Sequence, residues 1–91
     1  RLLTAWQNTF VRLKRLIIPS AETLIRIGHA CQALRATGRL DPVHPKHYNE
    51  ITIAALARQI GATVITKNEK DFILINKVID FEMEGVSIKR G

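Results

Sequence analysis

The chain has 91 residues, 46% of them hydrophobic, which fits one domain with a modest core and excludes a disordered chain. Lysine and arginine outnumber aspartate and glutamate, 14 − 8 = +6, a balance suited to a polyanionic partner such as RNA, DNA or an acidic protein. No run of about 18 apolar residues is present to span a bilayer as a helix, and the single cysteine, Cys31, excludes an internal disulfide and points to a reducing, cytoplasmic setting. Because the chain opens on Arg1 and Met83 is its only methionine, a fragment of a longer protein is expected. Arg1 to Trp6 shows no signal-peptide pattern. The basic residues are scattered, densest at Arg12 to Arg15 and at Lys89-Arg90.

Leu3, Trp6, Phe10 and Leu13 step by 3, 4 and 3, which predicts an amphipathic helix over about residues 3–15. Leu16-Ile17-Ile18, closed by Pro19, fits either a brief strand or the helix end. Ser20 is suited to an N-cap, with Glu22 in the first turn and Gly38 as a stop, so a helix is expected over about 20–37. Its apolar face is read as Leu24, Ile27, Cys31 and Leu34, with Cys31 as a packed core residue. Residues 39–46 carry two prolines and are expected to be loop. A further helix from about His47 to Ile60, closed by Gly61, leads into Ala62 to Thr66, a short β-branched run apolar on both faces, as a central parallel strand is. Asn68 to Asn76 reads as a loop plus a short helix. From Ile79 to Glu84 apolar and acidic residues alternate, which predicts a strand with one wet face carrying Asp80, Glu82 and Glu84.

The order helix, glycine, two-sided strand is the second half of a βαβ unit. In such a unit the helix runs antiparallel to the strand that follows. Twelve helical residues rise roughly 18 Å, and five strand residues span about 17 Å. Glu50, near the helix start, is therefore expected beside Asn68 and Asp71, just past the strand, at the carboxyl edge where α/β sheets bind ligands. Two carboxylates and an amide there form an oxygen-rich set suited to Mg²⁺ or Mn²⁺. A plainer account is that Glu50 is a first-turn acid on the helix dipole and that Asn68 and Asp71 are turn and capping residues.

The segment Asn49-Glu50-Ile51-Thr52-Ile53-Ala54-Ala55 resembles the PIN-domain pattern N-D-x-x-I-A-A. Gly61 to Phe72 resembles the pattern G-A-x-x-[V/I]-T-x-[N/D]-x-x-D-F, in the expected order and separation. PIN domains include the VapC-like toxin ribonucleases of toxin–antitoxin pairs. The resemblance implies a three-layer α/β fold, a parallel sheet flanked by helices. It also implies hydrolysis of RNA by three or four acids around Mg²⁺ or Mn²⁺. On this chain the family's third acid falls on Glu50, where Asp is usual, and the fourth on Asn68 or Asp71; Thr66 matches a hydroxyl residue near the metal. The same resemblance implies RNA as substrate, a cognate antitoxin protein and a homodimer, with no membrane. Nothing before Leu16 matches the family's first strand, and the earliest acid is Glu22. The chain is thus expected to be a single incomplete PIN-like domain, its N-terminal strand and helix and its first two acids missing, with activity belonging to a longer parent.

Other candidates fit plainer roles. His44, His47 and His29 lack the partners and spacing of a tetrahedral zinc site; His47 could position an RNA phosphate, but a polar surface residue explains it. Asp80, Glu82 and Glu84 fit a solvated strand face, and Trp6 and Phe10 fit a helix face rather than a base-stacking platform. Arg12, Lys14, Arg15, Lys67 and Lys70 would attract RNA. The first rival to the nuclease is a non-catalytic PIN-like module that binds RNA or a partner protein. The second is a small basic helical nucleic-acid binder with residues 20–38 as recognition helix, weakened by the two-sided apolar strand at 62–66.

Overall fold

The elements run β1 (Leu2–Thr4), α1 (Ala21–Thr37), α2 (Pro45–Ile60), β2 (Thr63–Thr66), α3 (Glu69–Asn76) and β3 (Glu82–Gly85) in a computed structural model that describes residues 2–5, 13 and 15–85. Strand β2 lies in the middle of a three-stranded sheet of order β1-β2-β3. Both pairings are parallel, with Leu2 opposite Thr63 and Thr63 opposite Glu82. The molecule is therefore a small α/β fold with a parallel sheet and helices, as the helix–glycine–strand order implied. Val64 and Thr66, on one face of β2, are fully buried, while Thr63 and Ile65 on the other are half-buried, so the strand expected to be apolar on both faces is covered more fully on one of them.

The expected N-terminal helix is corrected at its start, where a short strand lies instead. Leu2–Thr4 is a strand; Leu3 turns into the core while Leu2 stays exposed, and the Ala5 N–H donates to the Ile65 carbonyl at 2.8 Å. The spacing of Leu3 is compatible with a helix, but the open edge of β2 offers partners for the backbone here. Strand β1 carries no acid. Helical structure is present at Leu13, Arg15 and Leu16. Trp6, Phe10, Arg12, Lys14, Lys89 and Arg90 lie outside the described residues.

Helix α1 begins and ends as its sequence predicts. The Ser20 side chain accepts the Thr23 N–H, and Gly38 closes the helix in the left-handed region at φ 69°. Ile27 and Leu34 are buried as read from the sequence, but Thr23 and Ala30 stand where Leu24 and Cys31 were expected, with Leu24 exposed and Cys31 half-buried. The cause is polar: the Thr23 hydroxyl donates to Gln59 Oε1 of α2 at 2.6 Å and holds that side of the helix inward. Cys31 packs against the core, and burial raises its thiol pKa.

Helix α2 starts earlier than its sequence suggested. Pro45 occupies the first turn, where its missing N–H costs nothing, and His44 caps the helix by accepting the Lys46 N–H. Residues from Glu50 to Ala57 are buried without a break, because α2 packs against α1, α3 and β2 together. Small side chains at Ala54, Ala55 and Ala57 permit that close approach. Helix α3 adds Phe72 and Ile75, and the Phe72 ring meets Phe81 edge-on at 6.1 Å. Strand β3 is shorter than the alternation implied: Ile79 and Phe81 are buried in the turn before it, while Asp80, Glu82 and Glu84 face water as expected. No helix among the described residues is long and apolar enough to cross a membrane.

Candidate metal centre

The site forms where the second turn of α2 meets the link between β2 and α3. His47 and Glu50 are three residues apart on α2, a spacing that puts both on one face of a helix. Because the helix begins at Pro45, Glu50 lies past the first turn, so it is not the dipole-stabilising acid that the plainer account made it. Across the gap, the buried Thr66 hydroxyl accepts the Asn68 N–H at 2.9 Å and fixes the turn out of β2.

Asn68 occupies the N-cap position of α3 but makes no side-chain cap bond. Its amide instead donates to Glu50 Oε2 at 2.9 Å and to Asp71 Oδ2 at 2.7 Å. All three residues singled out from the sequence, Glu50, Asn68 and Asp71, are thus brought together, and Asn68 and Asp71 belong to the same site. His47 Nε2 lies 3.8 Å and Lys46 Nζ 3.9 Å from Asp71 Oδ2.

Glu50 is only 8% exposed, and its Oε1 is buried with no hydrogen-bond partner among the described residues. Leaving such an oxygen unpaired is costly. Its pKa is pushed up to about 8, first by desolvation and then by the hydrogen bond and negative charge of Asp71; Lys46 and Asn68 oppose the rise. Glu50 therefore holds a proton at neutral pH until something positive compensates its charge. One ligand atom each from His47, Glu50 and Asp71 lie within 4.8 Å of one another. Ligands about 2.1 Å from a common ion stand roughly 3–4 Å apart, so small side-chain movements would close the set around a divalent cation.

Asp71 also borders an open groove of about 580 Å³ whose other walls include Arg39, Lys70 and Lys77. Three cations thus lead to an acidic centre. A second depression, of about 380 Å³, runs along α1 past Glu22, Arg26 and His29 and does not include Glu50 or Asp71. His44 is engaged as the cap of α2, and Asp80, Glu82 and Glu84 are exposed on the far side of the turn before and within β3. His47 is the residue that sequence reasoning set aside; its spacing to Glu50 was the available signal. No family model, curated protein or solved structure matches the chain.

Proposed function

We propose that the chain is the site-bearing part of a metal-dependent endoribonuclease of the PIN-domain kind, a VapC-like toxin, that hydrolyses RNA phosphodiesters with Mg²⁺ or Mn²⁺. The observation that carries this reading is the buried, unpartnered Oε1 of Glu50 beside Asp71. An oxygen-rich cluster with an orphaned acceptor fits a divalent cation. Glu50 and Asp71 would hold the ion; Asn68, whose NH2 group faces both carboxylates, would orient them or a bound water and would ligate only with its amide turned to present Oδ1. When bound, such an ion polarises a phosphodiester and lowers the pKa of an attacking water.

The chain's own residues supply the rest. Thr66 fixes the Asn68 turn. Asn68 keeps the two carboxylates in register. Arg39, Lys70 and Lys77 draw a phosphate backbone along the groove toward Asp71. Parallel strands around β2 suit the PIN-like fold, although β1 supplies no acid. The resemblance also supports a cognate antitoxin, a homodimer and a cytoplasmic setting as parts of the same proposal.

The test is Mn²⁺-dependent cleavage of single-stranded RNA by the full-length protein that carries this chain. Glu50→Gln with Asp71→Asn is expected to lower the rate by more than the roughly 10–100-fold that loss of an outer partner of a metal ligand costs. An unchanged rate rejects the assignment. The non-catalytic reading is favoured by the acid-free β1 and the basic groove. It predicts RNA binding without cleavage, lost in Lys70→Glu with Lys77→Glu and retained in the double carboxylate variant.

A further inference from the structure

We propose that His47 is a third ligand of this centre, so that His47, Glu50 and Asp71 form a mixed nitrogen–oxygen set that binds Mn²⁺ in preference to Mg²⁺; the proposal rests on the metal reading above and assigns the ion.

The geometry begins with the helix. His47 precedes Glu50 by three residues on α2, and Asp71 faces both from α3. Nε2 of His47 is 3.8 Å from Asp71 Oδ2, and the three ligand atoms lie within 4.8 Å of one another. The His47 side chain is 22% exposed and that of Asp71 14%, so both are partly shielded from water. The second observation concerns the buried member of the cluster: Glu50, more than nine-tenths buried, has an oxygen that nothing among the described residues satisfies.

The far nitrogen of the imidazole is held by the Asp41 backbone. His47 Nδ1 is 3.2 Å from the Asp41 carbonyl oxygen. With the proton on Nδ1 donated to that carbonyl, Nε2 presents a lone pair toward Asp71. A backbone carbonyl behind a histidine is a common device for fixing the ligating tautomer. The alternative tautomer accepts the Asp41 N–H at 3.1 Å and turns an N–H toward Asp71, a hydrogen-bonded arrangement suited to the metal-free state. The Asp41 turn thus holds the ring in place under either tautomer.

Ligand chemistry then selects the ion. Mg²⁺ favours oxygen ligands and retains its waters, whereas imidazole suits first-row transition ions. Two carboxylates alone would serve either ion; the nitrogen donor tips the set toward Mn²⁺.

The experiment measures binding of Mn²⁺ alone and of Mg²⁺ alone to the full-length protein by calorimetry, with pulsed electron paramagnetic resonance of bound Mn²⁺ as a second readout. His47→Ala is expected to weaken Mn²⁺ binding by roughly 10–100-fold and to leave Mg²⁺ binding within about 3-fold, the two ions differing in their use of imidazole. The wild-type resonance is expected to carry a nitrogen coupling that His47→Ala and His47→Gln both lose. A wild-type spectrum without nitrogen coupling overturns the role of His47 whatever the variants do, and leaves the carboxylate site standing. Failure of the wild type to bind either ion overturns both readings.

Discussion

The starts of α1 and α3 are built from the same kind of residue and put to different use. At α1, Ser20 accepts the Thr23 N–H at 3.1 Å and donates to the Thr23 hydroxyl at 2.9 Å. Gln59 accepts from the Ser20 N–H and the Thr23 hydroxyl and donates to the Ile18 carbonyl. At α3, Asn68 is an equally good capping residue, yet its amide leaves the helix and joins Glu50 to Asp71. The first arrangement spends its polar groups on holding two helices together. The second spends them on holding two acids together and still leaves Glu50 Oε1 unpaired. A side chain diverted from its local structural duty, next to a buried polar atom left unpaired, is the kind of local cost on which the proposed site rests.

That contrast can be broken most strongly through pH. Glu50 titrates at about 8 in the fold against 4.5 when free. The folded protein therefore keeps a proton that the unfolded chain releases in between. The associated stability is fully present below about pH 4.5 and is lost as pH rises to about 8. At 1.36 kcal/mol per pH unit the loss is at most roughly 5 kcal/mol. Urea denaturation across this range in a chelating buffer is expected to show the decline, and Glu50→Gln, which stays neutral, is expected to flatten it. A wild-type profile already flat from pH 5 to 8 would show that Glu50 is ionised throughout.

Smaller effects sharpen the comparison at α1. Gln59→Ala removes three hydrogen bonds at a partly open site and is expected to cost about 1–2 kcal/mol. Ser20→Ala is expected to cost about 1 kcal/mol by loss of the cap. Asn68→Ala forfeits no cap bond but removes two part-buried hydrogen bonds to carboxylates, so it is expected to cost about 1–3 kcal/mol through the two acids rather than through the helix start. Its distinctive effect lies elsewhere: because the Asn68 amide favours ionised Glu50, its removal should raise the Glu50 pKa further, read from the carboxyl resonance by NMR. If Asn68→Ala destabilises the fold and leaves the Glu50 pKa unmoved, the two helix starts do the same job.

Much of this organisation was legible in the residues. The caps Ser20, Gly38 and Gly61 are local signals, and they mark their helices where the backbone does. The meeting of Glu50 with Asn68 and Asp71 followed from an antiparallel helix and strand of matching length. Strand β1 was not legible, because its partner Thr63 is 61 residues from Leu2 and pairing across that distance leaves no mark in local spacing. Thr23 displaced Leu24 from the buried face of α1 through a hydroxyl bond to another helix, which no hydropathy pattern carries. His47 was set aside because a lone histidine near a helix start reads as surface; its placement depends on the Asp41 turn, which packing decides.

Gly61 turns α2 into β2 with φ at 69°, and a Cβ added there would meet nothing within 4 Å. The glycine is thus required by backbone conformation alone. It is also a fulcrum. Glu50 lies 61 − 50 = 11 residues up the helix, an arm of roughly 16 Å at 1.5 Å per residue. Asn68 and Asp71 are anchored on the opposite arm, beyond β2. Re-aiming the helix by about 10° at Gly61 would sweep Glu50 through roughly 3 Å, more than the bond from a metal to its ligand. The gap between the carboxylates is therefore sensitive to the backbone angle at the far end of the unit, at a residue that touches neither of them.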